Sequence, residues 1–183
     1  MMRSVSKLIF RLLGWSVIGH TKYPRKSLVI AAPHTSNWDF FFGRCYAYIV
    51  GFSPKYLIKS ELFYPILGKL IKINGGIPVY RDSNNNVVEQ ISKKFNSSKE
   101  LIIGMSPEGT RKKVDKWKTG FYYIALKSSV PILLLKLDYI NKEIGIIQEF
   151  NPTGNFDEDM KYIESKYKSS FAKKPINYNP KIF

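Results

Sequence analysis

The sequence predicts a single α/β domain: a mostly parallel, mixed sheet covered by helices. Three observations carry that expectation. Segments of strand character alternate with segments of helical periodicity along most of the chain. The stretch Val130 to Leu137 is almost continuously apolar, as a strand covered on both faces must be. The chain has 183 residues, no internal repeat and no linker long enough to divide it, which suits one core.

The elements follow in order. From Met1 to Gly19, apolar residues fall at positions 5, 8, 9, 12 and 15, while Arg3, Lys7 and Arg11 lie largely on the opposite side. This is a basic amphipathic helix. It lies in the plane of a membrane interface or packs on the domain's own core, and the pattern fits both. A secretory signal is excluded because Arg11 interrupts the apolar stretch. A large side chain contributes roughly 1.5–3 kcal/mol at full burial, and each cation near an anionic leaflet about 1 kcal/mol. The chain therefore divides into an interfacial helix, residues 1–20, and a catalytic-type domain, residues 21–183.

Strands are expected over Ser27–Ala32, Lys55–Ile58, Ile77–Tyr80, Leu101–Met105, Val130–Leu137 and Ile144–Gln148, the last two paired through a turn at Asn141-Lys142. Helices are expected over Asn37–Val50, Glu61–Ile71, Asn86–Phe95, Thr119–Lys127 and Phe156–Phe171. Pro65 must occupy the first turn of its helix or kink it. The cluster Ser83-Asn84-Asn85 offers the cap for the helix that follows. Ala172 to Phe183 reads as a polar tail.

Twenty-nine Lys and Arg face 14 acids, giving a formal charge of +15, and aromatic residues make up 15% of the chain. Such a surface attracts polyanions: nucleic acid or an anionic membrane. Tyrosines and phenylalanines beside lysines suit headgroup level in a bilayer and also stacking on bases. Cys45 is alone, so an internal disulfide is excluded, no thiolate metal site is indicated, and a reducing cytoplasmic setting fits. No run of about 20 uncharged apolar residues is present to span a bilayer.

Three strand ends carry polar groups. His34 follows the first strand at once, and Asp39 lies five positions on. On one continuous helix these side chains would stand about 140° apart. A turn capped by Thr35, Ser36 or Asn37 brings them together and leaves Asp39 in the first turn, where the helix dipole favours its charge. Two readings fit the segment: the carboxylate fixes the imidazole tautomer and the ring removes a proton from a substrate hydroxyl, or His34 is a structural histidine that caps the strand end. A second strand, opened by Gly75-Gly76, ends at Arg81, whose guanidinium suits a phosphate. A third ends in Ser106-Pro107-Glu108-Gly109-Thr110-Arg111, a loop with opposed charges and a glycine that lets backbone approach a ligand.

These segments resemble the glycerolipid acyltransferase family, whose type member is lysophosphatidic acid acyltransferase (1-acylglycerol-3-phosphate O-acyltransferase). The family's H-x-x-x-x-D block is matched by His34 and Asp39, its glycine-led strand ending in arginine by Gly75 to Arg81, and its P-E-G-T-R block by Pro107 to Arg111. An apolar strand opened by V-P-I is matched at Val130-Pro131-Ile132, so the resemblance covers roughly residues 25 to 137.

The resemblance implies a glycerol-3-phosphate acyltransferase-like fold. It also implies transfer of a fatty acyl group from acyl-CoA or acyl carrier protein to a lysophospholipid hydroxyl in phospholipid biosynthesis. His34 would be the general base and Asp39 its partner. Arg81, Glu108, Gly109, Thr110 and Arg111 would bind the acceptor. Neither a metal nor a cofactor is needed beyond the acyl co-substrate. The expected partners are a lysophosphatidic acid-like acceptor, the acyl donor and an anionic membrane surface, without nucleic acid. The expected location is the cytoplasmic face of a membrane, the bacterial inner membrane.

The chain departs from the family pattern in three places. Tyr80 stands where an acid often precedes the arginine, Ser106 stands where an aromatic often precedes the proline, and there is little room for a two-helix membrane hairpin. An ornithine lipid or another lysolipid is the alternative acceptor. Thioester hydrolysis and nucleic-acid binding are the alternative functions; the second leaves the His34–Asp39 pair unexplained.

Overall fold

The computed structural model describes residues 1–20, 22–80 and 86–183. Among them the strands are β1 (Ser16–Val17), β2 (Lys26–Ala32), β3 (Lys55–Lys59), β4 (Gly76–Val79), β5 (Leu101–Met105), β6 (Ile132–Asp138) and β7 (Glu143–Phe150). The helices are α1 (Met2–Leu13), α2 (Asn37–Val50), α3 (Pro65–Ile73), α4 (Val87–Ser97), α5 (Gly120–Ser128) and α6 (Phe156–Glu164). The strands form one sheet in the order β1-β7-β6-β2-β5-β3-β4. Every neighbouring pair is parallel except the β6–β7 hairpin. This is the single-domain α/β architecture that the sequence predicts.

Period-two alternation distributes the side chains. Leu28 and Ile30 of β2, with Ile132 and Leu134 of β6, meet Phe95, Phe121, Ile124 and Met160 on one face. Val29, Leu133 and Leu135 point the other way and meet Phe10 of α1 and Phe42 and Tyr46 of α2. The crossovers β2-α2-β3 and β3-α3-β4 both step outward, while β4-α4-β5 and β5-α5-β6 step back. Right-handed connections therefore put α2 and α3 on one face and α4 and α5 on the other. Because β2, β3, β4 and β5 are parallel, their carboxyl ends share one edge.

The structure changes several boundaries. Helix α3 begins at Pro65, where a fixed φ and missing N–H are tolerated, and Ser60–Leu62 form a separate 3-10 turn. Asn86 caps α4 by accepting from the Val88 N–H; the expected cap Ser83-Asn84-Asn85 lies outside the described residues. Helix α6 stops at Glu164 rather than Phe171, because the chain turns to bury Tyr167, whose hydroxyl donates to the Ile30 carbonyl.

The expected polar tail is instead part of the core. Ala172, Tyr178 and Ile182 are buried. The Ile182 N–H donates to Glu164, and its carbonyl accepts from the Trp117 N–H. Strand β1 was not expected. It pairs parallel to β7, a contact that Gly145 permits, since a Cβ there would stand 1.8 Å from the Ile18 carbonyl oxygen. Helix α1 is thereby tied to the sheet edge. It packs on α2 through Ser6 and Phe10 and leaves Val5, Leu8, Leu12 and Leu13 exposed.

Candidate active site

The site is built where β2 ends. Ser36 caps α2: its hydroxyl accepts from the Trp38 N–H, and Asp39, three residues on, returns the contact by accepting from the Ser36 N–H at 2.8 Å. The same carboxylate oxygen accepts from the Thr35 N–H at 2.8 Å and meets Nδ1 of His34 at 3.1 Å. The turn demanded by the five-residue separation is therefore a capping box, and it brings imidazole and carboxylate together. The other Asp39 oxygen accepts the Tyr139 hydroxyl at 2.6 Å. Burial, and the Asp39 carboxylate beside it, push the Tyr139 phenol well up, so it remains a donor. Asp39 is 6% exposed, whereas about a fifth (22%) of the His34 side chain is accessible.

For a neutral ring, an Asp39 that accepts at Nδ1 selects the tautomer with its lone pair on Nε2. His34 and Asp39 lie in the wall of a pocket of about 820 Å³. Much of the rest of that wall is apolar, including Val29, Phe52, Leu57, Ile124 and Leu135. Gly109, Thr110 and Arg111 line the same pocket. Gly109 adopts φ +68°, and a Cβ there would come within 3.1 Å of Lys118 Nζ. The loop is held from outside by the Lys118 N–H on the Pro107 carbonyl and by Asn177 on the Arg111 carbonyl.

Glu108 is placed differently from its loop neighbours. It is 4% exposed and does not line the pocket. One of its oxygens accepts the His34 backbone N–H at 2.8 Å; the other has no partner among the described residues. Burial pushes its carboxyl up to about 7, partly offset by the His34 N–H bond. Its placement is that of a group fixing the backbone of the histidine. Arg81 lies outside the described residues; the strand before it, β4, ends at the same sheet edge as β2 and β5.

Sequence reading missed Lys118, Arg44 and Lys55, three cations that line the pocket. Among 29 cations nothing local distinguishes them, and only the fold gathers them. No described carboxylate pairs with Arg111 or Lys118. Among the described residues no three His, Cys, Asp or Glu side chains cluster as metal ligands would. Cys45 is buried and free, and burial pushes its thiol up.

The family model described as Acyltransferase matches residues 15–135. A solved structure, the 1-acyl-sn-glycerophosphate (LPA) acyltransferase PlsC from Thermotoga maritima, shares the fold with a TM-score of 0.63. Its sequence is 20% identical, and the match covers 90% of this chain and 74% of that one. No curated protein matches the chain.

Proposed function

The chain belongs to the Acyltransferase family, and from that premise we propose that it transfers a fatty acyl group from a thioester to the hydroxyl of a lysophospholipid in phospholipid biosynthesis. The observation that carries this reading is the His34–Asp39 pair, 3.1 Å apart, in the wall of a large pocket with apolar lining and several cations. The acceptor oxygen attacks the thioester carbonyl while Nε2 of His34 takes its proton. The tetrahedral intermediate then collapses, the C–S bond breaks, and the imidazolium returns the proton to the departing thiolate. Asp39 holds the ring and stabilises its cationic form. Lys118 and Arg111 offset the developing oxyanion and bind the acceptor's phosphate together with Thr110 and the Gly109 backbone. The acyl chain occupies the apolar part of the pocket, with acyl-CoA or acyl carrier protein as donor.

The acceptor is read as lysophosphatidic acid-like, with another lysolipid as the alternative. Helix α1 supports work at a membrane surface, which the proposal takes to be the cytoplasmic face. Its exposed side carries Val5, Leu8, Leu12 and Leu13, and Arg3, Lys7 and Arg11 flank it. No helix among the described residues is long and apolar enough to cross a bilayer. The test is thiol release from an acyl thioester in the presence of a panel of lysolipids. Release that depends on one acceptor supports transfer. Equal release without acceptor means hydrolysis, and no release with any acceptor removes the reading.

A further inference from the structure

Helix α3 is amphipathic, but its apolar side faces solvent. Ile66, Leu70 and Ile73, spaced i, i+4, i+7, share one side, and Ile66 and Ile73 are each 81% exposed. Its single buried residue is Gly68, packed against the Phe63 backbone. A surface helix that served only the core would turn its apolar stripe inward. Leu62 and Tyr64, just before the helix, are exposed too. Lys59, Lys69 and Lys72 accompany this patch, and no acid lies within Pro65–Ile73.

The rest of that face of the sheet has the same character. Helix α2 exposes Trp38, Phe40 and Phe41, and Phe40 lines the catalytic pocket; α1 exposes the leucines described above. The opposite face is covered by α4, α5 and α6, with Glu158 and Asp157 in the first turn of α6.

We propose that α3 is a second membrane-contact element, lying in an anionic lipid surface with Ile66, Leu70 and Ile73 inserted and Lys69 and Lys72 at headgroup level. Together with α1 it sets the α1–α2–α3 face against the bilayer. The occupant is lipid rather than a second copy of this chain, because two copies meeting on this face would bring their own lysines together, whereas an anionic leaflet complements them. This deepens the acyltransferase reading and rests on it in one respect: a membrane-resident acceptor must reach the pocket from the face that carries Phe40.

The test uses the full chain with an environment-sensitive fluorophore on Ile73→Cys, Cys45 being buried and out of the label's reach. Vesicles of phosphatidylcholine and phosphatidylglycerol should shift its emission to the blue. A label on Glu158→Cys, on the opposite face, should not shift. The pair Ile66→Ser with Ile73→Ser should bind vesicles about tenfold more weakly at unchanged thermal stability. Unchanged emission at position 73 on vesicles that bind the chain overturns the proposal. So does a shift that needs only higher protein concentration and no lipid, which marks a second copy. Turnover of a water-soluble thioester and acceptor is measured in parallel. If that fails while position 73 inserts, the transferase reading falls and the lipid contact stands.

Discussion

The Asp39 carboxylate accepts from the Thr35 and Ser36 N–H groups, from the Tyr139 hydroxyl and from Nδ1 of His34. Such a group is an orienter, since four protein donors hold it, three on one oxygen and the Tyr139 hydroxyl on the other. Asp39→Asn keeps the shape but supplies an amide where the imidazole needs an acceptor. It should lower kcat by on the order of 10²–10⁴-fold with little change in KM for the thioester. Tyr139→Phe removes one donor to a charged acceptor and should cost about 1.5–3 kcal/mol in denaturant unfolding.

Glu108 makes a separate prediction. Burial pushes its folded carboxyl up to about 7, above the ordinary glutamate value of 4.5. Below about 4.5 both states hold the proton. Between 4.5 and 7 the unfolded chain releases it and the folded chain keeps it, so stability falls as pH rises, then levels above 7. The loss is on the order of 3 kcal/mol. Glu108→Gln still accepts the His34 N–H and should lack this slope. Urea unfolding of both proteins at pH 4.5 and pH 8 checks it: the variant should gain on the wild type at the higher pH.

At the scale of elements, legibility in the sequence followed the density of apolar residues. Strands β2 and β6 were legible because both faces are buried, and Leu28-Val29-Ile30 and Ile132-Leu133-Leu134-Leu135 leave no polar gap. The His34–Asp39 turn was legible because Thr35, Ser36 and Asn37 are capping residues and leave Asp39 in the first turn; that Ser36 is the cap, in a capping box with Asp39, came from the structure. The carboxyl-terminal segment was not: Tyr178 and Ile182 are isolated among polar residues, and only contacts with distant elements bury them. Strand β1 was equally hidden, being two residues long and fixed by β7 far along the chain. The inward turn of Glu108 onto the His34 N–H, and the close approach of Lys118 to Gly109 at its positive φ, are not revealed by spacing alone. Removing residues 172–183 should therefore destabilise the domain as a core deletion does, by more than about 3 kcal/mol, measured by thermal unfolding. Tyr178→Phe should be neutral or mildly stabilising, because that buried hydroxyl has no described partner.

For the whole molecule, charge and exposed apolar surface are the properties that bear on function. The charge of +15 accompanies one face rich in exposed apolar side chains on α1, α2 and α3. Deleting α1 would remove Phe10 from the core and uncover Trp15 and Phe42, so point changes isolate its lipid-facing side better. Leu8→Ser with Leu12→Ser should weaken binding to anionic vesicles about tenfold while leaving the unfolding midpoint in place. Raised salt should weaken the wild type as the headgroup attraction is screened.

The central claim is that the imidazole of His34 removes the acceptor's proton. It is tested most directly by the rate of acceptor-dependent thiol release from an acyl thioester, comparing the wild type with a His34→Ala variant of unchanged fold by circular dichroism. The rate should fall on the order of 10²–10⁴-fold. A variant that still transfers acyl groups at the wild-type rate would contradict the account.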